Sequence, residues 1–308
     1  MVRPAYYQRA SKVSEEELFD CRTACPVCGA TGPRRTVHVL QDEPRVELLR
    51  CARCHACSAD RMPTDACLER YYQAYYESFD DKRTFHDIAR LGEHVWRSID
   101  LSRTPAAWRI LDFGGGDGSL AKWLAERRRR EHHGARAEIV LVDLQDADPA
   151  EAEAWTFRQE RRLEEANGGF DLVLASAIIE HVPLLQPILH ELFAKIGAGG
   201  WFYARTPYVE PFCRLSKKVD VTYPGHVHDM GDRFWNAVPK TFGLQDVDVV
   251  HSRPSPVDTS FAQSPTRALA AHLFKLPARI EGALFGSRTR NLLWTLVGGW
   301  ELVLRRHS

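Results

Sequence analysis

The sequence predicts an α/β protein, a mostly parallel sheet covered on both faces by helices, with a small metal-bound ribbon ahead of it. Three observations predict this. From Trp108 onward, near-continuous apolar runs alternate with helical patterns, as expected of strands buried on both faces. Two C-x-x-C pairs stand in the first sixty residues, roughly one small domain's length. A glycine-rich turn follows the first apolar run, in "ILDFGGGDGSLAKWL", where an open parallel sheet keeps its ligand crevice.

The elements follow in order. "CPVCG" and "CARC" place Cys25, Cys28, Cys51 and Cys54 in two knuckles separated by 22 residues. Two such knuckles offer four thiolates to one tetrahedral ion, which suits structural Zn²⁺ and leaves no position open for water. Cys57 lies close enough to the second knuckle to replace one ligand. "RRTVHVL" and "RVELLRC" between the knuckles read as strands of the ribbon. "LERYYQAYYESF" is rich in tyrosine, and Tyr75 and Tyr76 are expected to stack between ribbon and core or to line a pocket. In "TFHDIARLGEHVWRSI", Ile88, Leu91, Val95 and Ile99 recur at helical spacing. "WRILDF", "EIVLVD", "WTFRQ", "FDLVLAS", "WFYART", "LQDVDVVHS" and "GGWELVLRR" read as strands. "SLAKWLAERRRREHH", "PLLQPILHELFAKIG" and "DRFWNAVPKTFG" read as helices, the second ended by "GAGG". The run Arg127–Arg130 reads as a solvated helix end, with phosphate contact as the alternative.

These boundaries divide the chain into an N-terminal tail (1–22), a zinc ribbon (23–66), a helical linker or lid (67–105) and the main domain (106–308). Residues from about 253 to 292 form a helical insertion in the main domain. Its apolar positions are expected to cover a substrate pocket or to join two copies as a homodimer. Lysine plus arginine equals aspartate plus glutamate, 41 each in 308 residues, so no long polyanion, and no nucleic acid, is expected as partner. The start lacks the apolar core of a signal peptide. No apolar run reaches the roughly 18 residues of a membrane span, so a cytoplasmic protein is expected.

The glycine turn departs from the dinucleotide fingerprint, because the third glycine comes one residue early. No Lys-Ser/Thr pair follows it, which excludes a phosphate-cradling P-loop. One strand over, "EIVLV" ends in Asp143, placed to accept hydrogen bonds from ribose hydroxyls. "FDLVLASAIIEHV" brings Ser176, Glu180 and His181 to the mouth of the same cleft.

Together, "ILDFGGGDGSLAKWL", "VLVD", "FDLVLASAIIEHV" and "GGWFYARTP" resemble the class I S-adenosylmethionine-dependent methyltransferases. "CPVCG" through "YYQAYY" resembles the zinc ribbon that precedes this domain in one branch of that family, which acts mostly on small molecules such as sugar nucleotides and natural-product intermediates. The resemblance implies a Rossmann-like seven-stranded sheet with the last strand antiparallel. It also implies S-adenosyl-L-methionine as cofactor, with Gly114, Gly116 and Gly118 against its methionine and ribose parts, Asp112 near its amino group, Asp143 on its ribose and Ser176 beside it. Gln159 and Glu160 are the candidates for the adenine side.

A hydroxyl acceptor must lose a proton, which calls for a base within hydrogen-bond reach. Histidine suits that work near neutral pH. "YPGHVHDM" supplies His226 and His228, whose alternate positions on an extended segment aim both rings to one side; His181 is the next candidate. The expected function is methyl transfer to a small, hydroxylated molecule. A zinc-ribbon RNA methyltransferase and a non-catalytic SAM-binding scaffold are the alternatives.

Overall fold

The computed structural model describes residues 12–77, 87–101, 104–148, 152–215, 221–255 and 298–308, with isolated positions at 217, 219, 273, 276 and 280. The expected insertion between about 253 and 292, and the dimer contact assigned to it, lie almost wholly outside the described residues. So do the side chains of Tyr75 and Tyr76.

The main sheet has seven strands. These are β4 (Ala107–Phe113), β5 (Arg136–Val142), β6 (Trp155–Glu160), β7 (Phe170–Ser176), β8 (Ile196–Tyr208), β10 (Val247–Pro254) and β11 (Gly298–Arg306). Their spatial order is β10-β11-β8-β7-β4-β5-β6. β4 pairs in parallel with β5 and β7, and β7 with β8. β11 runs antiparallel to both β8 and β10, slotted between them. This is the α/β sheet with a reversed last strand that the sequence implied.

Burial on both faces explains why the strands read as apolar runs. Leu111, Val140 and Val173 face one core, shared with the helices α4 (Leu185–Lys195) and α6 (Asp232–Phe242). Ile110, Ile139 and Leu172 face the other, shared with α2 (Ile88–Ser98) and α3 (Ser119–Glu131). The expected stripe on α2 holds, with Leu91 and Val95 buried. β8 starts at Ile196, earlier than expected, because Gly197 and Gly200 sit hard against the backbone of Gly169 and Phe170 and let the strand run through "GAGG".

The run of arginines on α3 is only partly solvated. Arg128 is buried and donates to the backbone oxygens of Leu101, Thr104 and Pro105. It thereby fastens the segment that leads into β4. Arg127 pairs with Glu131, and Arg129 with Glu153. Arg130, the last of the run, is exposed, as a solvated helix end would be.

The ribbon builds a second sheet from β1 (Arg34–Gln41), β2 (Val46–Cys51), β3 (Cys57–Ala59) and β9 (His228–Asp229). The first three belong to the ribbon. The fourth comes from the main domain and pairs Cys57 with Asp229 and Ser58 with His228. Two further helices, α1 (Asp65–Glu77) and α5 (Glu210–Leu215), flank this junction. No helix among the described residues is long and apolar enough to cross a membrane.

One buried carboxylate ties α2 to the last strand. Glu301 on β11 is fully buried and accepts from Arg253 Nε at 2.6 Å, with His94 Nε2 at 2.7 Å. Burial acts to raise its pKa, but the hydrogen bond and charge of His94, aided by Arg253, outweigh it and hold the carboxyl below its ordinary range. Removing one member of such a group strands the others. Glu301→Ala is expected to lower stability by about 3 kcal/mol, read as an earlier urea unfolding midpoint with an unchanged slope.

Candidate active site and metal knuckles

The glycine turn solves a backbone problem at the end of β4. Gly114 (φ +67°), Gly116 (φ +63°) and Gly118 (φ +71°) all take left-handed angles, which residues with a side chain resist. Gly114 also allows a close approach: a Cβ there would lie 2.1 Å from the side chain of Ile178. That contact brings the turn after β7 against the turn after β4. At Gly116 a Cβ would meet nothing within 4 Å, so the space in front of it is open.

The sequence-nominated carboxylates line this turn. Asp143, just past β5, accepts from the Gly116 amide at 2.8 Å and from the Gln145 amide at 2.9 Å. Two amides aim the carboxylate and leave lone pairs on both oxygens. Asp112 is buried, accepts a hydrogen bond from the Ala121 backbone, and has no partner for Oδ2. Burial, then the neighbouring Asp143, pushes its pKa up to about 7. Ser176, at the end of β7, likewise has a buried Oγ with no hydrogen-bond partner. Buried polar atoms are normally paired; these two are lone atoms at neighbouring strand ends, where an open parallel sheet keeps its ligand crevice.

Gln159 is engaged otherwise. It accepts from the Ala147 amide at 3.0 Å and donates to the Asp143 carbonyl at 3.1 Å, so it braces the loop after β5. Glu160 pairs with Arg158.

The histidines divide into a pair and a singleton. The residue after β7, Ala177, has φ +57°, and a short 3₁₀ turn, Ile179–His181, follows. Its His181 meets His226 edge to face, 4.7 Å between ring centroids. The Gly225 carbonyl lies 2.7 Å from His181 Nδ1, with the Tyr72 hydroxyl at 2.9 Å. A carbonyl can only accept, so Nδ1 carries the proton and Nε2 keeps a lone pair. Burial lowers the pKa of His181 to about 4. Burial and the charge of His181 hold His226 well below its ordinary range. Beside them, Glu180 is buried with Oε2 unpartnered, and burial pushes its pKa up to about 8.

His228 does not join them. Its Nε2 lies 2.8 Å from the Val182 carbonyl and must donate, so its Nδ1, 2.9 Å from Ser58 Oγ, accepts. One ring nitrogen thus fastens β9 to the ribbon through Ser58, and the other ties it to the turn after β7 through Val182. His228 is paired as a strand on β9, while Gly225 and His226 stand in the loop before it, so the two rings take different partners. Tyr72 is what sequence reasoning passed over; Glu180 was placed at the mouth of the cleft but given no role there.

The four predicted thiolates converge. Cys25, Cys28, Cys51 and Cys54 are all buried, with their sulfurs within 4.8 Å of one another. Cys25 and Cys54 are 3.8 Å apart, as are Cys28 and Cys51. That is the edge of a tetrahedron whose metal–sulfur bonds are about 2.3 Å. Cys57 stands outside the cluster. The two knuckles repeat one geometry: the amides of Gly29 and His55 donate to the carbonyls of Cys25 and Cys51. His55 takes φ +64° where the first knuckle has glycine.

The turn allows a discriminating pair of substitutions. Gly116→Ala is expected to cost about 1–2 kcal/mol, since only its backbone angle is strained. Gly114→Ala, which also collides with Ile178, is expected to cost more. Thermal unfolding of the two variants orders them.

Among solved structures, the chain is similar to the plantazolicin methyltransferase BpumL in complex with a triazolic desmethylPZN analog and SAH, at 12% identity over 77% of this chain and 91% of that one, with a TM-score of 0.48. It is similar to coclaurine N-methyltransferase bound to N-methylheliamine and SAH, at 14% identity over 74% and 76%, TM-score 0.41. It is also similar to an S-adenosylmethionine-dependent methyltransferase from Mesorhizobium loti, at 17% identity over 65% and 91%, TM-score 0.36. A search of curated proteins finds no match. The family described as a methyltransferase domain matches residues 76–248, more than half of the sequence, and the chain belongs to that methyltransferase family.

Proposed function

We propose that the chain moves a methyl group from S-adenosylmethionine to a hydroxyl of a small molecule, of the kind found in sugar-linked or natural-product intermediates. The observation that carries this reading is the meeting of two things at one set of strand ends. One is a glycine turn bordered by the lone Asp112 Oδ2 and Ser176 Oγ. The other is the His181–His226 pair, which follows the Ile178 that packs on that turn.

The residues fit the donor. Asp112 offers an unused oxygen to its amino group, Ser176 a hydroxyl, and Asp143 its remaining lone pairs to the ribose. The open space at Gly116 admits the ligand to within touch of the backbone. The donor, when bound, supplies a methyl group already activated on a sulfonium. The chain's work is alignment and the removal of one proton. His226, partly exposed, is the candidate to take that proton from the acceptor, with His181 beside it and held in one tautomer by Gly225. His228 supports them by fastening the strand that follows. The four cysteines hold structural Zn²⁺, and the ribbon, followed by a helical linker, forms a wall on the acceptor side. The even charge balance favours a small acceptor over RNA.

Two measurements test this. Small-molecule extracts incubated with the chain and isotope-labelled donor are expected to yield a labelled product. His226→Ala should lower that turnover by about 10²–10⁴-fold while S-adenosylhomocysteine still binds. Failure of S-adenosylhomocysteine to bind the parent chain would overturn the donor assignment. Binding should also depend on pH through Asp112. Its carboxyl is protonated below about 7, and only the ionised form pairs with an ammonium group. Affinity is therefore expected to rise with pH up to about 7, by about tenfold per unit on the acidic side. Asp112→Asn should bind weakly and without that dependence, as read by calorimetry across pH 5 to 8.

A further inference from the structure

We propose that Glu180, His181 and His226 form a second metal site, distinct from the four-cysteine cluster, that takes one divalent cation and leaves positions open for the acceptor's oxygen. The inference deepens the proposed function and rests on it for the identity of that oxygen.

Geometry is the first support. One ligand atom from each of the three residues lies within 4.8 Å of the other two. Glu180 is 1% exposed, and its Oε2 has no hydrogen-bond partner. A buried carboxylate oxygen with nothing to bind is costly, and a cation is the partner its place suits. The second support is the tautomer of His181. Its Nδ1 is committed to the Gly225 carbonyl at 2.7 Å, which turns the Nε2 lone pair toward Glu180, 3.9 Å from Oε1. Metal-bound histidines are held this way, by a carbonyl on the nitrogen that does not ligate. The third is rigidity. The Val227 amide donates to the Glu180 carbonyl at 3.0 Å, so the loop carrying His226 and the turn carrying the other two ligands are bound at the backbone.

The donor set decides the class of ion. Two imidazoles and one carboxylate suit Zn²⁺, Fe²⁺, Co²⁺ or Mn²⁺, whereas Mg²⁺ and Ca²⁺ prefer all-oxygen sites. Three protein ligands leave at least one position free, and His181 and His226 are partly open to solvent while Glu180 is not. In the ion-free chain an imidazole takes the acceptor's proton. In the loaded chain the acceptor's oxygen binds the ion and its O–H bond breaks, the proton passing to water. The oxygen then forms its bond to the methyl carbon as the carbon–sulfur bond breaks, the electron pair returning to sulfur.

Cobalt distinguishes the two sites, because a thiolate cluster gives sulfur-to-metal charge-transfer absorption and a histidine–carboxylate site does not. With the cysteine cluster filled by Zn²⁺, titration of the full chain with Co²⁺ is expected to show one further equivalent bound, with weak visible bands alone. His226→Ala and Glu180→Gln should each weaken that binding by about tenfold or more and leave S-adenosylhomocysteine affinity unchanged. No further equivalent of Co²⁺, or undiminished binding in both variants, would overturn the site. If Glu180→Gln does not fold, the partly exposed His226→Ala decides alone. Loss of S-adenosylhomocysteine binding in the parent chain would remove the donor and leave the cobalt result standing, so the two readings fail separately.

Discussion

The structure depends on one short reversal of the backbone. Between the end of β4 and the start of α3 the chain must turn from strand to helix within five residues, Gly114 to Gly118. It does so with left-handed angles at alternate positions. That alternation faces the turn toward the crevice, sets the Gly116 amide on Asp143, and lets Ile178 close on Gly114. The neighbouring strand ends are thereby drawn into one crevice. A side chain at Gly114 would push the turn after β7, and the histidines that follow it, away from the turn after β4.

A second constraint joins the ribbon to this crevice. The short pairing of β3 with β9 is reinforced on every side. The Ala59 amide donates to Val227, and His228 bridges Ser58 and Val182. Asp229 accepts from the amides of Val209 and Glu210. On the far side of the ribbon, the Gln186 amide at the start of α4 donates to Pro26 between the first two cysteines. The metal knuckles therefore grip the same body that presents His226. Strand pairing links the segment after the last cysteine of the cluster to the loop that presents His226.

Most of the main sheet was legible because its strands are buried on both faces. A run such as "EIVLV" has no polar side to hide, and its burial from Ile139 to Val142 explains its composition. The cysteine cluster was legible because thiolate spacing fixes geometry locally. The histidine loop was not. "GHVH" looks like a symmetric pair, but a pairing partner some 170 residues away in sequence captures one ring, and such a partner leaves no periodic signal. Arg128 misled for a similar reason: an arginine among arginines reads as solvated, and only the carbonyls of the segment before β4 reveal why this one is buried. The early start of β8 was missed because the glycines expected only to end the helix here permit close backbone packing and carry the strand.

The borrowed fourth strand has a bearing on how such an architecture can change over evolutionary time. A ribbon whose sheet closed on itself could be exchanged between proteins like a cassette. This one cannot, because cutting after it would expose the edge of β3 and leave Ser58 and His228 each without the other. New versions must therefore arise by joint drift of residues 57–59 and 226–229, so that variation in the ribbon is inherited together with variation in the histidine loop rather than recombined separately.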